Sequence, residues 1–103
     1  MQRVWSQGDL VLLEEPLPAD AIEVTDHDGV LAYGEATSHR HKIVKGEVRY
    51  FRSATGFYAY GLTDFETGHE DHPAIKIPRG VSVRYYQERE ADWFGEETRN
   101  VSD

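Results

Sequence analysis

Turn-forming residues recur about every 8–12 positions in this chain, a spacing that suits short strands and leaves little room for helices. The punctuation falls at Gly8-Asp9, Asp28-Gly29, Lys45-Gly46, Thr55-Gly56, Thr67-Gly68 and Pro78-Arg79-Gly80. Between these points lie short runs rich in Val, Ile, Leu, Tyr and Phe, among them Leu10–Leu13, Glu47–Arg52, Phe57–Leu62, Ala74–Ile77 and Val81–Glu88. In the last run Val81, Val83 and Tyr85 fall on one face by strand alternation. Pro16-Leu17-Pro18 stops the first run, because proline gives no ladder donor. Ala19 to Val24 has room for a single helical turn. No segment carries a sustained helical period with caps. The sequence therefore predicts an all-β, single-domain barrel or sandwich over residues 1–91, followed by an acidic C-terminal tail over 92–103. Trp93-Phe94 would pin that tail to the body or dock it on another subunit.

At 103 residues the chain supports one domain with a modest core, for which self-association is an economical stabiliser. A homo-oligomer is accordingly expected. A net charge of −8 opposes binding to phosphate backbones and anionic membranes. No apolar run reaches the roughly 20 residues needed to span a bilayer. Met1 to Ser6 lacks the apolar stretch of a signal peptide, so a cytoplasmic location is the default expectation.

The chain has no cysteine, which excludes thiolate chemistry and disulfides and leaves imidazole and carboxylate as metal ligands. Two histidines, His39 and His41, stand two apart in a run read as extended from Val30 to Ile43. Side chains at that spacing leave the same face of a strand. Two imidazoles so placed can converge on one ion, although the same spacing also suits two solvated strand residues. Strict alternation adds Glu35 to their face, and Gly34 within the run suggests a bulge. His69 and His72 flank Glu70-Asp71 in a loop or strand entrance. Pro73 restrains the backbone at His72 and makes it the preferred third ligand, with His69, Glu35 and Glu47 as candidates to complete the shell. A nitrogen and oxygen donor set of this kind suits Zn, Fe, Mn, Ni or Cu. His27, between two aspartates and a glycine, reads as a solvated turn residue. Ser38 beside His39 has no nucleophile elbow around it, and no phosphate-binding loop is present. The aromatic series Tyr50, Phe51, Phe57, Tyr58 and Tyr60 is read as core packing in preference to a base-stacking platform.

The stretch from Gly34 to His41, with Glu47 and then Ile77-Pro78-Arg79-Gly80-Val81, resembles the cupins, metal-binding β-barrels with a glycine, H-x-H and glutamate motif and a later P-x-G turn. That resemblance implies a third histidine beyond the turn, and no histidine follows Gly80 here. Gln7–Leu12, Gly34–His41 and His72–Val81 with Gln87–Glu90 together resemble a group of short uncharacterised bacterial and phage proteins. That likeness spans most of the chain and implies no particular activity. The function expected is a small β-barrel that binds a divalent transition metal through its histidines. The alternative is a non-enzymatic self-assembling or phage-associated structural subunit. A small-molecule ligand in the barrel mouth is compatible with the first, and whether the protein is an enzyme is left open.

Overall fold

The computed structural model describes residues 2–33 and 40–88, and all regular structure among them is strand. Ten strands form, β1 (Val4–Gln7), β2 (Leu10–Glu14), β3 (Ile22–Val24), β4 (Val30–Tyr33), β5 (Arg40–Lys45), β6 (Val48–Ser53), β7 (Gly56–Gly61), β8 (Phe65–His69), β9 (His72–Ile77) and β10 (Ser82–Gln87). They make a six-stranded sheet in the order β1-β2-β10-β7-β6-β3 and a four-stranded sheet in the order β4-β5-β8-β9, with antiparallel pairing throughout. The acidic tail lies outside the described residues. Among those described, no helix is long and apolar enough to cross a membrane.

The two sheets are successive halves of the same long hairpins. β5 pairs with β8 in one sheet, and after the chain turns a corner at residues 46–47, β6 pairs with β7 in the other. The ladder continues through the corner, where the Leu62 amide donates to the Glu47 carbonyl at 2.9 Å. Strands that bend from one sheet into the next are the usual way to fold a sheet onto itself. The bend falls at Gly46, whose φ of 99° belongs to the left-handed region. A side chain at Gly46 would also meet the Asp64 carbonyl and Phe65.

The core is supplied by alternate residues of both sheets, Leu10 and Leu12 of β2, Ala59 of β7, Val83 and Tyr85 of β10, Phe65 of β8, and Ile75 and Ile77 of β9, together with the adjacent Leu31 and Ala32 where the β4 register shifts. Burial of Val83 and Tyr85, with Val81 packed against them, follows the alternation expected for the last strand. β1, at the edge of the larger sheet, packs against β9, the edge of the smaller one, which gives the sandwich a barrel-like closure.

Three local expectations are corrected. Ile22–Val24 is a strand paired with Tyr50–Arg52, where a helical turn had room to form. The extended run from Val30 to Ile43 is two strands, because Ala32 pairs with His41 and Tyr33 with Arg40 in antiparallel register. Thr67-Gly68 does not break the chain. β8 runs through it with a register shift, and Val44 packs so closely over Gly68 that a Cβ there would lie 2.7 Å from Val44 Cγ1. The reversal comes three residues later, at Glu70-Asp71, so that His69 and His72 face each other across a hairpin.

Candidate functional site

Gln7, His41 and Thr67 are the buried polar side chains among the described residues, and they meet at the seam between the sheets. Gln7 ends β1, and its Nε2 donates to the Thr67 carbonyl at 3.3 Å and to the Pro73 carbonyl at 2.7 Å. Both amide protons are thereby used, which turns Oε1 toward His41 Nδ1 at 2.9 Å. Thr67 Oγ1 donates to the same oxygen at 3.4 Å. An amide oxygen has no proton to give, so Nδ1 carries the proton and donates.

On the other side of the ring, His41 Nε2 lies 3.1 Å from Asp9 Oδ1. Asp9 occupies the tight turn between β1 and β2. Its second oxygen accepts from Gln87 Nε2 at 2.7 Å, and Gln87 Nε2 also reaches the Tyr33 carbonyl at 2.7 Å. Burial pushes the Asp9 carboxyl up, but the hydrogen bonds from Gln87 and His41 outweigh it and hold the group below its usual value. Burial, helped by the neighbouring His69, holds the His41 imidazole below the ordinary histidine value, although Asp9 opposes both. With Nδ1 donating to Gln7, the contact of His41 Nε2 with a carboxylate oxygen calls for a cation or a proton between the two atoms.

Two more imidazoles border this pair. The His69 ring lies 4.4 Å from the His41 ring between centroids, His72 lies 4.7 Å from His69, and His41 and His72 are 6.2 Å apart. The hairpin supplies this proximity by placing His69 opposite His72. His69 Nδ1 accepts from the Asp71 amide at 3.0 Å, which leaves its proton on Nε2 and makes His69 a packing and donor group. His72 is exposed and closes over Gly8, where a Cβ would stand 2.7 Å from its Nε2 and 3.4 Å from His41 Cε1. A glycine at this position lets both rings approach the turn that carries Asp9.

Of the residues singled out in the sequence, the structure brings together His41, His69 and His72. His39 and Glu35 lie outside the described residues. Glu47 stands past the opposite end of β5 from His41, exposed at the corner, with its amide donating to Thr63 Oγ1 at 2.9 Å. Asp9 and Gln7 were not anticipated. The Gly8-Asp9 turn was visible, but its meeting with His41 spans 32 positions of the chain and depends on closure of the two sheets. Among the described residues, no group of three or more His, Asp or Glu side chains is placed to hold a metal ion as the side chains stand.

His27 is also corrected. It is half-buried, stacked on Tyr50 with 3.7 Å between ring centroids and 5° between planes. Its Nδ1 accepts from the Gly29 amide at 2.8 Å, and its Nε2 meets Tyr85 Oη at 3.2 Å. The flanking aspartates suggested a solvated turn, but the ring folds inward to stabilise that turn from beneath.

No curated protein and no solved structure matches the chain. Residues 6–87 match a family described as a domain of unknown function, DUF8820, in a span that contains Gln7, Asp9, His41, His69, His72 and Gln87. Since the match runs from β1 to the end of β10, the chain belongs to the DUF8820 family.

Proposed function

We infer that this protein binds a divalent transition metal ion at the barrel seam, with His41 Nε2 and an Asp9 oxygen as a fixed pair and His72 as the third donor. One observation carries the reading: Nε2 of a buried imidazole, whose Nδ1 is already bonded to Gln7, lies 3.1 Å from a carboxylate oxygen. Two ligands about 2.0–2.1 Å from a tetrahedral ion stand about 3.3 Å apart, so the pair is spaced for a shared ion. The support behind it has the form such sites use. Gln7 fixes the His41 tautomer through Nδ1, and Gln87 holds the carboxylate. His72 is at the surface beside Gly8, with its ring 6.2 Å from that of His41, and is the donor that would move to complete the set.

The nitrogen and oxygen donor set admits Zn, Fe, Mn, Ni or Cu. Three protein donors leave a fourth position open toward solvent, where a metal-bound water or a chelating small molecule would sit. The cupin likeness of the sequence bears on this reading only in the kind of site, imidazoles holding metal at the mouth of a barrel. The ligand set differs, with Asp9 in place of Glu47.

The test is metal analysis of tag-free protein, paired with thermal melting in chelator and with added Zn²⁺ or Ni²⁺. Bound metal near one equivalent, or a metal-dependent rise in melting temperature, is expected. Protein that holds no metal and melts identically in chelator, Zn²⁺ and Ni²⁺ would end the proposal.

A further inference from the structure

A second feature lies beneath the link between β3 and β4. A hollow of about 240 Å³ is walled by Val24, Val30, Leu31, Phe51 and Phe57, and both members of the His27–Tyr85 pair line it. Tyr85 is only 6 % exposed. Its hydroxyl meets His27 Nε2 at 3.2 Å, and the direction of that bond is set by the other side of the imidazole. His27 Nδ1 accepts from the Gly29 amide, so a neutral ring carries its proton on Nε2 and donates to Tyr85. The phenol therefore spends a lone pair on His27 and retains its own proton. Among the described residues, no protein acceptor receives that proton.

A buried hydroxyl with an unused proton is costly unless something in the adjacent space accepts it. The surrounding walls are aliphatic and aromatic, which suits an apolar guest better than bulk water. An apolar cavity of about 150 Å³ is large enough for benzene, so this hollow admits one aromatic ring with a short substituent. Phe57, stacked on Tyr85 at 6.2 Å, is 55 % exposed, so the aromatic rim can be reached from solvent.

We propose that this hollow is a binding site for a compact, mainly apolar organic molecule bearing one hydrogen-bond acceptor, such as an aryl ketone, whose oxygen takes the Tyr85 proton. The site is separate from the histidine seam and does not depend on metal.

The probes are acetophenone and α-methylstyrene, which share shape and differ in whether a carbonyl oxygen is present. Methyl NMR spectra of the full chain are recorded as each is titrated to millimolar concentration. Acetophenone is expected to shift the Val24, Val30 and Leu31 methyl signals and to bind about tenfold more tightly than α-methylstyrene. In Tyr85→Phe, which keeps the ring and removes the hydroxyl, acetophenone should weaken about tenfold and α-methylstyrene should be unchanged. Equal affinity of the two probes for the unaltered protein overturns the proposal, whether or not the variant folds. So does an absence of shifts at those methyls, which leaves water as the acceptor of the Tyr85 proton.

Discussion

The side chain of Gln7 donates to the carbonyl of Pro73 at 2.7 Å, and through this contact the first strand is joined to the ninth across the open edge of the smaller sheet. The same amide orients His41, so barrel closure and site geometry rest on one residue. Gln7→Ala is expected to cost about 2–4 kcal/mol, since it strands the buried Thr67 carbonyl, the partly buried Pro73 carbonyl and the His41 Nδ1 proton. Gln7→Glu should also destabilise, because a carboxylate donates to neither Thr67 nor Pro73. Urea denaturation of the three proteins in chelator checks both. A loss below 1 kcal/mol for either variant would show that the seam does not depend on this amide.

The inferred metal site predicts a separation of binding from folding. Asp9→Asn keeps an acceptor for Gln87 but removes the charge, and His72→Ala trims an exposed ring. Each should weaken Zn²⁺ at least tenfold by calorimetry while leaving the metal-free melting temperature within a few degrees. For the unaltered protein, Zn²⁺ at a hundred times its dissociation constant adds about 2.7 kcal/mol, a shift of roughly 10 °C or more.

The corner at Gly46 predicts a large effect from one methyl group. Gly46→Ala demands a left-handed backbone of a residue with a Cβ and presses that atom onto the Asp64 carbonyl and Phe65. A loss of about 2 kcal/mol or more is expected. Gly80→Ala, with a φ of 79° and open space around it, isolates the backbone contribution and should cost less. Equal losses in denaturant titrations would show that the crowding at the corner is relieved without cost.

His27 should make stability pH-dependent in one direction. Burial holds its imidazole below the ordinary value of 6.5, against the pull of Asp28 and Asp26. As pH falls below 6.5 the unfolded chain takes up a proton that the folded ring resists, so stability is lost from there down to the folded pKa and no further below it. Above 6.5 the contribution is fully present. In NMR, the His27 ring should titrate below 6.5, and His27→Gln should flatten the fall in stability between pH 6.5 and 5. A ring that titrates above 6.5 would reverse the sign.

The class of fold was legible because turn residues and strand periods are local signals. Val83 and Tyr85 point inward by alternation alone, and the turns at Gly8-Asp9, Thr55-Gly56 and Pro78–Gly80 fall where the residues place them. Gly68 misled because a glycine needed for close approach of Val44 has the same letter as one that turns a chain. The histidine seam was half legible. His41, His69 and His72 stood out by chemistry, but Asp9 and Gln7 join them only because β1 closes against β9. That distance in sequence leaves no periodic trace. His27 misled because its acidic neighbours report on the turn's backbone and not on where the ring goes.

The continuous ladder through the Gly46 corner also decides where this chain can be divided. A cut at residues 46–47 would sever β5 from β6 in the middle of the continuous ladder that they form with β8 and β7. A cut at the exposed tip, Ala54-Thr55, falls between β6 and β7 and leaves each bent strand intact. Two pieces made there retain complementary faces along both sheets. The molecule is thus a pair of interlocking bent ribbons, and its natural dividing line runs between the strands, not between the sheets.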